Sequence, residues 1–133
     1  MRGHRVSTGS RYEELASYSR AVVLPDAGGD WVMVSGTTGF DYAAMTISSD
    51  VEAQAHQVFR TIAQALEKAG SSLNEVVQIR VYLAAAEDFP KVAPIIGQYM
   101  HAAMPANTTV VAPLIDERMR IEVEVTARKL PGD

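Results

Sequence analysis

The sequence contains no cysteine, and this absence excludes disulfide bonds, thiolate metal ligands and a cysteine nucleophile. It has only three histidines, His4, His56 and His101, whose spacing does not resemble that of metal ligands. We therefore expect no bound metal. The composition is compatible with a reducing cytoplasm.

Long apolar runs and clusters of basic residues are missing as well. No stretch approaches the roughly 20 apolar residues that a membrane-spanning helix needs, and the basic residues within residues 1–12 are not followed by the apolar segment of a signal peptide. The net charge of -4 disfavours nucleic acid, whose binding needs several Lys or Arg on one face. We expect a soluble, cytoplasmic protein that binds neither membranes nor nucleic acid.

The hydrophobic content of 47% over 133 residues is sufficient for one globular domain, residues 1–133, with its own core. Residues 1–15 are polar and have no clear pattern apart from a short edge strand at residues 5–7. Residues 18–24 and 31–35 are two apolar runs separated by the turn sequence P-D-A-G-G-D, which predicts a β-hairpin.

The hairpin is followed at once by G-T-T-G at residues 36–39. Glycines just past a strand let the backbone turn tightly and leave N–H groups free to face a ligand. A plain connecting loop explains the same sequence, so both interpretations stay open.

Two helices are predicted on either side of a third strand. The first has Ser49 as its N-cap and ends at Gly70, and the second covers residues 88–103 with Pro94 inside it. The strand, residues 73–83, alternates between two faces. Its buried face holds Val77, Ile79, Val81 and Leu83, and its mixed face holds Val76, Gln78, Arg80 and Tyr82.

Residues 105–127 contain two further strands. Residues 107–112 are rich in β-branched side chains, and residues 119–127 alternate strictly between apolar and polar. The apolar face holds Met119, Ile121, Val123, Val125 and Ala127, and the polar face holds Arg120, Glu122, Glu124, Thr126 and Arg128. We expect any small-molecule chemistry on this polar face.

The order of these elements predicts a two-layer α+β domain, in which two helices cover one face of a mixed sheet. The other sheet face combines charges with Val76, Tyr82 and Val111, which makes it too apolar for free solvent. A partner subunit is the simplest cover for such a surface.

Several short motifs then occur together, in this order: V-S-G-T-T-G at residues 34–39, V-E-A-Q-A at 51–55, L-E-K-A-G at 66–70, I-R-V-Y-L at 79–83, D-F at 88–89, P-A-N-T-T-V at 105–110 and R-I-E-V-E-V-T-A at 120–127. Together they resemble the RidA (YjgF-type) family over residues 18–129. The resemblance implies a chorismate-mutase-like fold and a homotrimer whose sheets line a central β-barrel, with a small-molecule cleft between neighbouring subunits. It also implies hydrolysis of reactive enamines and imines to ketoacids and ammonia, without metal or cofactor.

The same resemblance implies roles for single residues. Glu122 matches the glutamate that positions water and acts as acid/base, Tyr18 matches the tyrosine that lines the pocket, and Gly36 matches the glycine after the strand. Asn107 stands where active deaminases carry the arginine that clamps the substrate carboxylate. Ala93 stands where many members have asparagine.

Loss of the charge-assisted pair at Asn107 lowers carboxylate affinity by about ten- to a hundredfold, so deamination of 2-aminoacrylate is expected to be weak or absent. Arg20, two residues after Tyr18, is a candidate to restore a cation to the cleft; the alternative is a surface arginine on an edge strand. For Glu122 the alternative is an ion pair with Arg80 or Arg120.

Two functions stay open. One is a cofactor-free hydrolase, deaminase or tautomerase of imine-like or related small metabolites, including carboxylate-bearing ones, with altered substrate choice. The other is a non-catalytic trimeric protein that binds small molecules or partners on the same scaffold. A ribonuclease activity, attributed to some members of the family, is disfavoured by the acidic net charge.

Overall fold

The computed structural model describes residues 3–129, which form eight strands and three helices. The strands are β1 His4–Val6, β2 Ala21–Leu24, β3 Asp30–Thr38, β4 Phe40–Asp41, β5 Thr46–Ile47, β6 Val76–Leu83, β7 Ala106–Val111 and β8 Ile121–Lys129. The helices are α1 Arg11–Ala16, α2 Val51–Lys68 and α3 Phe89–Met100, and single 3-10 turns cover Leu73–Glu75 and Ala86–Asp88.

Six strands form one sheet in the order β1-β2-β3-β8-β6-β7, and β4 and β5 form a separate two-stranded ribbon. Neighbours in the sheet are antiparallel except β6 and β7, which run parallel because α3 connects them. Helices α2 and α3 pack on one face of the sheet and enclose the core. The predicted two-layer α+β architecture is confirmed.

The opposite face of the sheet is not covered by α2 or α3, and we call it the open face. Its central side chains come from three adjacent strands, and they are Met33, Arg80, Tyr82, Glu122, Glu124 and Thr126. Strand β8 lies in the middle of this face, between β3 and β6.

Strand β8 alternates as the sequence predicted. Its core-facing residues are Ile121, Val123, Val125 and Ala127, and all four are buried, as is Met119 just before the strand. The intervening residues are partly exposed on the open face. Pairing with both neighbours fixes the register, so that Glu122 lies opposite Thr38 on β3 and Tyr82 on β6.

Helix α2 begins one residue later than the sequence predicted. Its N-cap is Asp50 and not Ser49, because the Asp50 carboxylate accepts a hydrogen bond from the Ala53 N–H at 3.1 Å. A carboxylate at this position also interacts favourably with the helix dipole. The helix ends before Gly70, whose φ of +81° suits a glycine, as predicted.

Helix α3 covers Phe89–Met100, three residues shorter at its C-terminal end than predicted, and contains Pro94. Its core residues are Val92, Ile95, Ile96 and Met100. Neither helix α3 nor any other helix within residues 3–129 is long and apolar enough to cross a membrane.

Strand β6 contains a β-bulge that reverses the predicted alternation at its start. The register against β8 shifts between Val76 and Gln78, so Val77 is the extra residue. As a result Val76 turns into the core with 2% exposure, whereas Val77 is 44% exposed. The prediction for these two valines was wrong, because the pattern of a strand does not reveal a bulge.

Val111 was also assigned to the wrong face. It lies beside Leu83, which is buried against the helices, whereas Val110 lies beside Tyr82 on the open face. The apolar part of the open face therefore comes from Met33, Tyr82 and Val110 rather than from Val76 and Val111.

The N-terminal segment is more regular than its sequence suggested, because helix α1 follows β1. The Ser10 hydroxyl accepts a hydrogen bond from the Glu13 N–H at 3.2 Å and donates to the Glu13 carboxylate at 2.8 Å. The sequence S-x-x-E at residues 10–13 is the pattern of a capping box and was the available sequence signal, although Glu13 accepts from the Ser10 hydroxyl rather than from the Ser10 N–H. Because of the helix, β2 begins only at Ala21, so Tyr18 and Arg20 precede the strand on which they were predicted to lie.

Candidate functional site

The carboxylate of Glu122 lies in an open cleft on the open face of the sheet. The cleft has a volume of about 510 Å³, and its lining residues are Gly36, Tyr82, Ala112, Pro113, Leu114, Ile115, Glu122 and Glu124. The polar groups come from β3, β6 and β8, and the loop after β7 supplies an apolar wall. The cleft therefore combines acidic groups with a surface suited to a small apolar substituent.

Gly36 forms the floor of the cleft beneath Glu122. It does not follow the strand, as both sequence interpretations assumed, but lies within β3, where the register against β8 shifts between Val34 and Thr37. A Cβ atom at position 36 would overlap the Glu122 Oε2 atom and lie 3.2 Å from its Cδ. The absence of a side chain at Gly36 is thus what allows the carboxylate to occupy this position.

The Glu122 carboxylate has no hydrogen-bond or ion-pair partner among the side chains of residues 3–129. Both predicted alternatives are wrong: Arg80 pairs with Glu124 at 3.6 Å, and Arg120 pairs with Asp88 at 2.8 Å. Burial raises the pKa of the Glu122 carboxyl, nearby Glu124 raises it further, and Arg20 opposes both effects. A carboxyl that remains protonated to higher pH is suited to proton transfer near neutral pH.

Arg20 lies directly behind the floor of the cleft. Its side chain is fully buried, with 0% exposure, so the alternative of a surface arginine is wrong. The Nη1 group donates to the Gly36 carbonyl oxygen at 2.8 Å and to Thr37 Oγ1 at 3.1 Å. The guanidinium is therefore held against the backbone of β3, and Arg20 is not among the residues that line the cleft.

Two tyrosines complete the surroundings of Arg20. Its Nη2 group donates to the Tyr18 hydroxyl at 3.3 Å, and its guanidinium carbon lies 4.6 Å from the centre of the Tyr42 ring. Burial raises the pKa of the Tyr18 hydroxyl, and Arg20 opposes this shift. Tyr18 is thus linked to Gly36 through Arg20, but it does not line the cleft of its own chain.

A buried carboxylate, Glu13 of α1, balances the charge of Arg20. The Arg20 Nε and Glu13 Oε2 atoms are 3.7 Å apart, and both side chains are almost completely buried. Glu13 also accepts hydrogen bonds from Ser7, Thr8 and Ser10. Burial raises the pKa of Glu13, the hydrogen bonds from Thr8 and Ser10 lower it, and the net shift is downward. The ion pair of Glu13 with Arg20 was not predicted from the sequence, although the S-x-x-E pattern at residues 10–13 marked Glu13.

Tyr82 and Glu124 form the acidic side of the cleft. The Tyr82 hydroxyl donates to Glu124 Oε1 at 2.6 Å. This hydrogen bond, together with burial, raises the pKa of Tyr82. Because Arg80 and Tyr82 both contact Glu124, its carboxylate is held in place beside the unpaired Glu122.

Asn107 does not join Glu122 within one chain. It lies beside Ile79 on edge strand β7, and Ile79 lies beside Val125 on β8. Asn107 is therefore two strands away from Glu122 and three residues along the strand direction, roughly 10 Å in each direction. Ile79 is also a core residue, so Asn107 belongs to the helix side of the sheet and Glu122 to the open face.

Asn107 lines a different recess, of about 220 Å³, together with residues at the end of α3 that include Gly97, Met100 and His101. The Thr109 hydroxyl donates to Asn107 Oδ1 at 2.8 Å, which leaves the amide NH₂ group as the free donor. Ala93 of α3 does not line either the recess or the cleft.

Residues 3–129 contain no group of three or more His, Asp or Glu side chains that could hold a metal ion. The cleft itself offers a carboxyl group with a raised pKa, backbone groups of β3 and a second carboxylate held by Tyr82 and Arg80.

Comparisons with known proteins give a consistent result. The family model described as endoribonuclease L-PSP matches residues 8–129. A curated protein of Streptomyces coelicolor is 34% identical over 124 residues, which cover 92% of this chain and 90% of the relative. The human 2-iminobutanoate/2-iminopropanoate deaminase is 28% identical over 127 residues, which cover 95% of this chain and 90% of that protein.

Solved structures are similar over almost the whole chain. The crystal structure of a Mycobacterium tuberculosis protein, a member of the YjgF/YER057c/UK114 family, superposes with a TM-score of 0.84 at 31% identity. The alignment covers 95% of this chain and 98% of that one. The structure of RidA from an Antarctic Psychrobacter species superposes with a TM-score of 0.74 at 30% identity, over 84% of this chain and 88% of that one.

Proposed function

The chain belongs to the endoribonuclease L-PSP family of RidA/YjgF-type proteins, and we propose that it is a cofactor-free hydrolase of reactive imines and enamines that acts in a homotrimer. The family supports an imine deaminase function at a coarse level, since relatives named 2-iminobutanoate/2-iminopropanoate deaminase match 90% or more of the chain. Family membership alone does not select the substrate.

The observation that carries the proposal is the state of Glu122. Its carboxyl lies against the bare backbone of Gly36 and has a raised pKa, with no ion-pair partner in residues 3–129. A purely structural glutamate on a mixed sheet face would be expected to pair with a nearby arginine. Here Arg80 and Arg120 pair with other carboxylates, which leaves Glu122 available for proton transfer.

Hydrolysis of an imine requires a group that both donates and accepts protons. The protonated Glu122 carboxyl gives its proton to the imine nitrogen, and the carboxylate then removes a proton from water as the water oxygen bonds to the imine carbon. In the second half the same carboxyl protonates the amine, the C–N bond breaks and the hydroxyl proton returns to Glu122. The products are a carbonyl compound and ammonia, and Glu122 ends in its starting state.

The homotrimer is part of the proposal because one chain holds only half of the predicted site. Asn107 and Glu122 are on opposite faces of the sheet, so a ligand that contacts both requires Asn107 from a second copy. Edge strand β7 is unpaired on its outer side in residues 3–129, and nearby apolar side chains are exposed, including Val110, Val111 and Ile115, the last with 84% exposure. Burial of such a surface between copies would stabilise an oligomer.

The second candidate function is a trimeric protein that binds small molecules without catalysis. It is favoured by one observation, the neutral Asn107 at the position of the clamping arginine. A ribonuclease function is not favoured, because the cleft presents Glu122 and Glu124 and its lining residues include no Lys or Arg, so a polyanion would be repelled.

The first prediction separates the two candidates. An oxidase produces an imine in solution, and hydrolysis is followed by the fall in semicarbazide-trapped imine when the protein is added. We expect acceleration by the wild-type protein and a loss of about a hundred- to ten-thousandfold in Glu122→Gln, because one positioned proton-transfer group is removed without changing the shape. Glu67→Gln, an exposed position of α2, is the matched control and should keep full activity.

Saturable ligand binding without any acceleration would favour the non-catalytic candidate. Equal activity of the Glu122→Gln and Glu67→Gln variants would show that Glu122 is not the acid/base group.

A further inference from the structure

The lining of the cleft around Glu122 contains acidic side chains and no Lys or Arg. Its charged lining residues are Glu122 and Glu124, and the remaining six are uncharged. The two nearby arginines are engaged with other groups. Arg80 already pairs with Glu124 at 3.6 Å, and Arg20 lies behind Gly36 with its donors directed to Gly36, Thr37 and Tyr18.

The half-site around Asn107 also has no free cation in the described part of the chain. Strand β7 carries no charged residue, and the nearest lysine in α3, Lys91, pairs with Asp88 at 3.7 Å. His101 lines the same recess as Asn107, and the lining residues of this recess include no Lys or Arg.

Thr109 determines which hydrogen bonds Asn107 offers. Because its hydroxyl donates to Asn107 Oδ1, the amide oxygen is engaged and the NH₂ group is free to donate. A neutral NH₂ donor suits a carbonyl oxygen of a carboxamide, an ester or a ketone. For a carboxylate it is a weak substitute for a guanidinium, which forms two charge-assisted hydrogen bonds.

We propose that the site selects imines and enamines that carry no carboxylate, with a neutral hydrogen-bond acceptor or a plain apolar substituent in its place. This inference rests on the proposed function, because it assumes that Glu122 and Asn107 of two copies face the same ligand. The apolar wall formed by Ala112, Pro113, Leu114 and Ile115 accepts the substituent. An anionic substrate finds no free cation among the lining residues to replace its hydration and lies beside the Glu124 carboxylate, whereas a neutral imine needs no such partner.

The second prediction tests ligand choice by binding alone. Pyruvamide and pyruvate have nearly the same shape and differ in charge, and their dissociation constants are measured by NMR titration at pH 8. We expect pyruvamide to bind at least about tenfold more tightly, the lower end of the range for a lost charge-assisted pair. Asn107→Arg should reverse the order, and Asn74→Arg, the same change at an exposed position outside the site, should not.

The same choice is tested in catalysis with a matched pair of imines. An amino acid oxidase releases the imine of leucine, and a flavin amine oxidase releases the imine of 3-methylbutylamine, which has the same carbon skeleton without the carboxylate. The wild-type protein should accelerate hydrolysis of the neutral imine by at least about tenfold more than that of the imino acid. Asn107→Arg should shift the preference towards the imino acid.

The binding and hydrolysis experiments together distinguish failure of the ligand preference from failure of the proposed function. Hydrolysis of the imino acid as fast as the neutral imine, or equal binding of pyruvate and pyruvamide, overturns the inference and leaves the hydrolase in place. Preference for pyruvamide with no hydrolysis of either imine supports the selection of neutral ligands and overturns catalysis. Binding of neither ligand, together with no hydrolysis, overturns both.

Discussion

Among single residues, Arg20 influences both the position and the pKa of the Glu122 carboxyl. Arg20 holds the Gly36 carbonyl at 2.8 Å, and Gly36 is the backbone against which the Glu122 carboxylate rests. The same guanidinium is the positive charge that limits the upward pKa shift of Glu122. Arg20 is thus a positioning residue, which acts on the cleft through the β3 backbone and through its charge.

The third prediction concerns the pH dependence that follows from this arrangement. Since Arg20 lowers the pKa of Glu122, replacing it in Arg20→Gln should raise that pKa further, and the limb of the pH–rate profile governed by Glu122 should move to higher pH. Arg20→Lys keeps the charge and should leave the pKa close to its wild-type value. Carbon-13 NMR titration of the Glu122 carboxyl measures the pKa directly, without any substrate.

Stability must be followed in the same variants. Removing one partner of a buried ion pair costs about 3–5 kcal/mol, and Arg20→Gln leaves Glu13 buried without its cation. Folding of each variant is therefore confirmed by urea denaturation before titration. An unchanged Glu122 pKa in folded Arg20→Gln would contradict the role of Arg20 in the cleft.

Among secondary-structure elements, strand β8 and helix α2 are the ones that sequence reasoning describes best. The strict alternation of β8 places Glu122 and Glu124 on one face without any ambiguity, because a strand has only two faces. The start of α2 was predicted one residue too early, since Ser49 and Asp50 are both good N-cap residues and the hydrogen bond to Ala53 is made by Asp50.

The fourth prediction uses this pair of neighbouring residues. Asp50→Ala removes the acceptor for the Ala53 N–H and should lower the free energy of unfolding by about 1 kcal/mol. Ser49→Ala is the control and should have a smaller effect, because no hydrogen bond to the helix involves the Ser49 side chain in residues 3–129. Urea denaturation of the two variants measures the difference, and a larger loss for Ser49→Ala would show that the cap was assigned wrongly.

Other features of the site could not be predicted from the sequence because they depend on tertiary structure. The bulge in β6 changes which valine enters the core, and the bulge in β3 keeps Gly36 inside the strand; the alternation of the residues does not mark either bulge. The burial of Arg20 depends on helix α1, which supplies Glu13. Its capping box, Ser10 and Glu13, was visible in the sequence but was overlooked within a short polar segment.

For the whole molecule, the proposed function requires that two copies of the chain share each cleft. Within one chain Glu122 and Asn107 are on opposite faces of the sheet, so one chain alone cannot place both residues against the same ligand. In a cyclic trimer, three equivalent contacts would each bring Glu122 of one copy to Asn107 of the next. Light scattering should accordingly give the mass of three chains, and a stable monomer at micromolar concentration would exclude the shared cleft.

The fifth prediction is the most direct test of the shared catalytic cleft, and it measures imine hydrolysis in mixed trimers. Glu122→Gln lacks the acid/base group, and Asn107→Trp fills the neighbouring half-site, so each variant alone should be inactive. When the two variants are co-expressed in equal amounts, about one quarter of the clefts should contain both wild-type residues if subunits associate at random. Recovery of about a quarter of the wild-type rate is the predicted result, and mixed trimers as inactive as the separate variants would contradict a cleft built from two copies around Glu122.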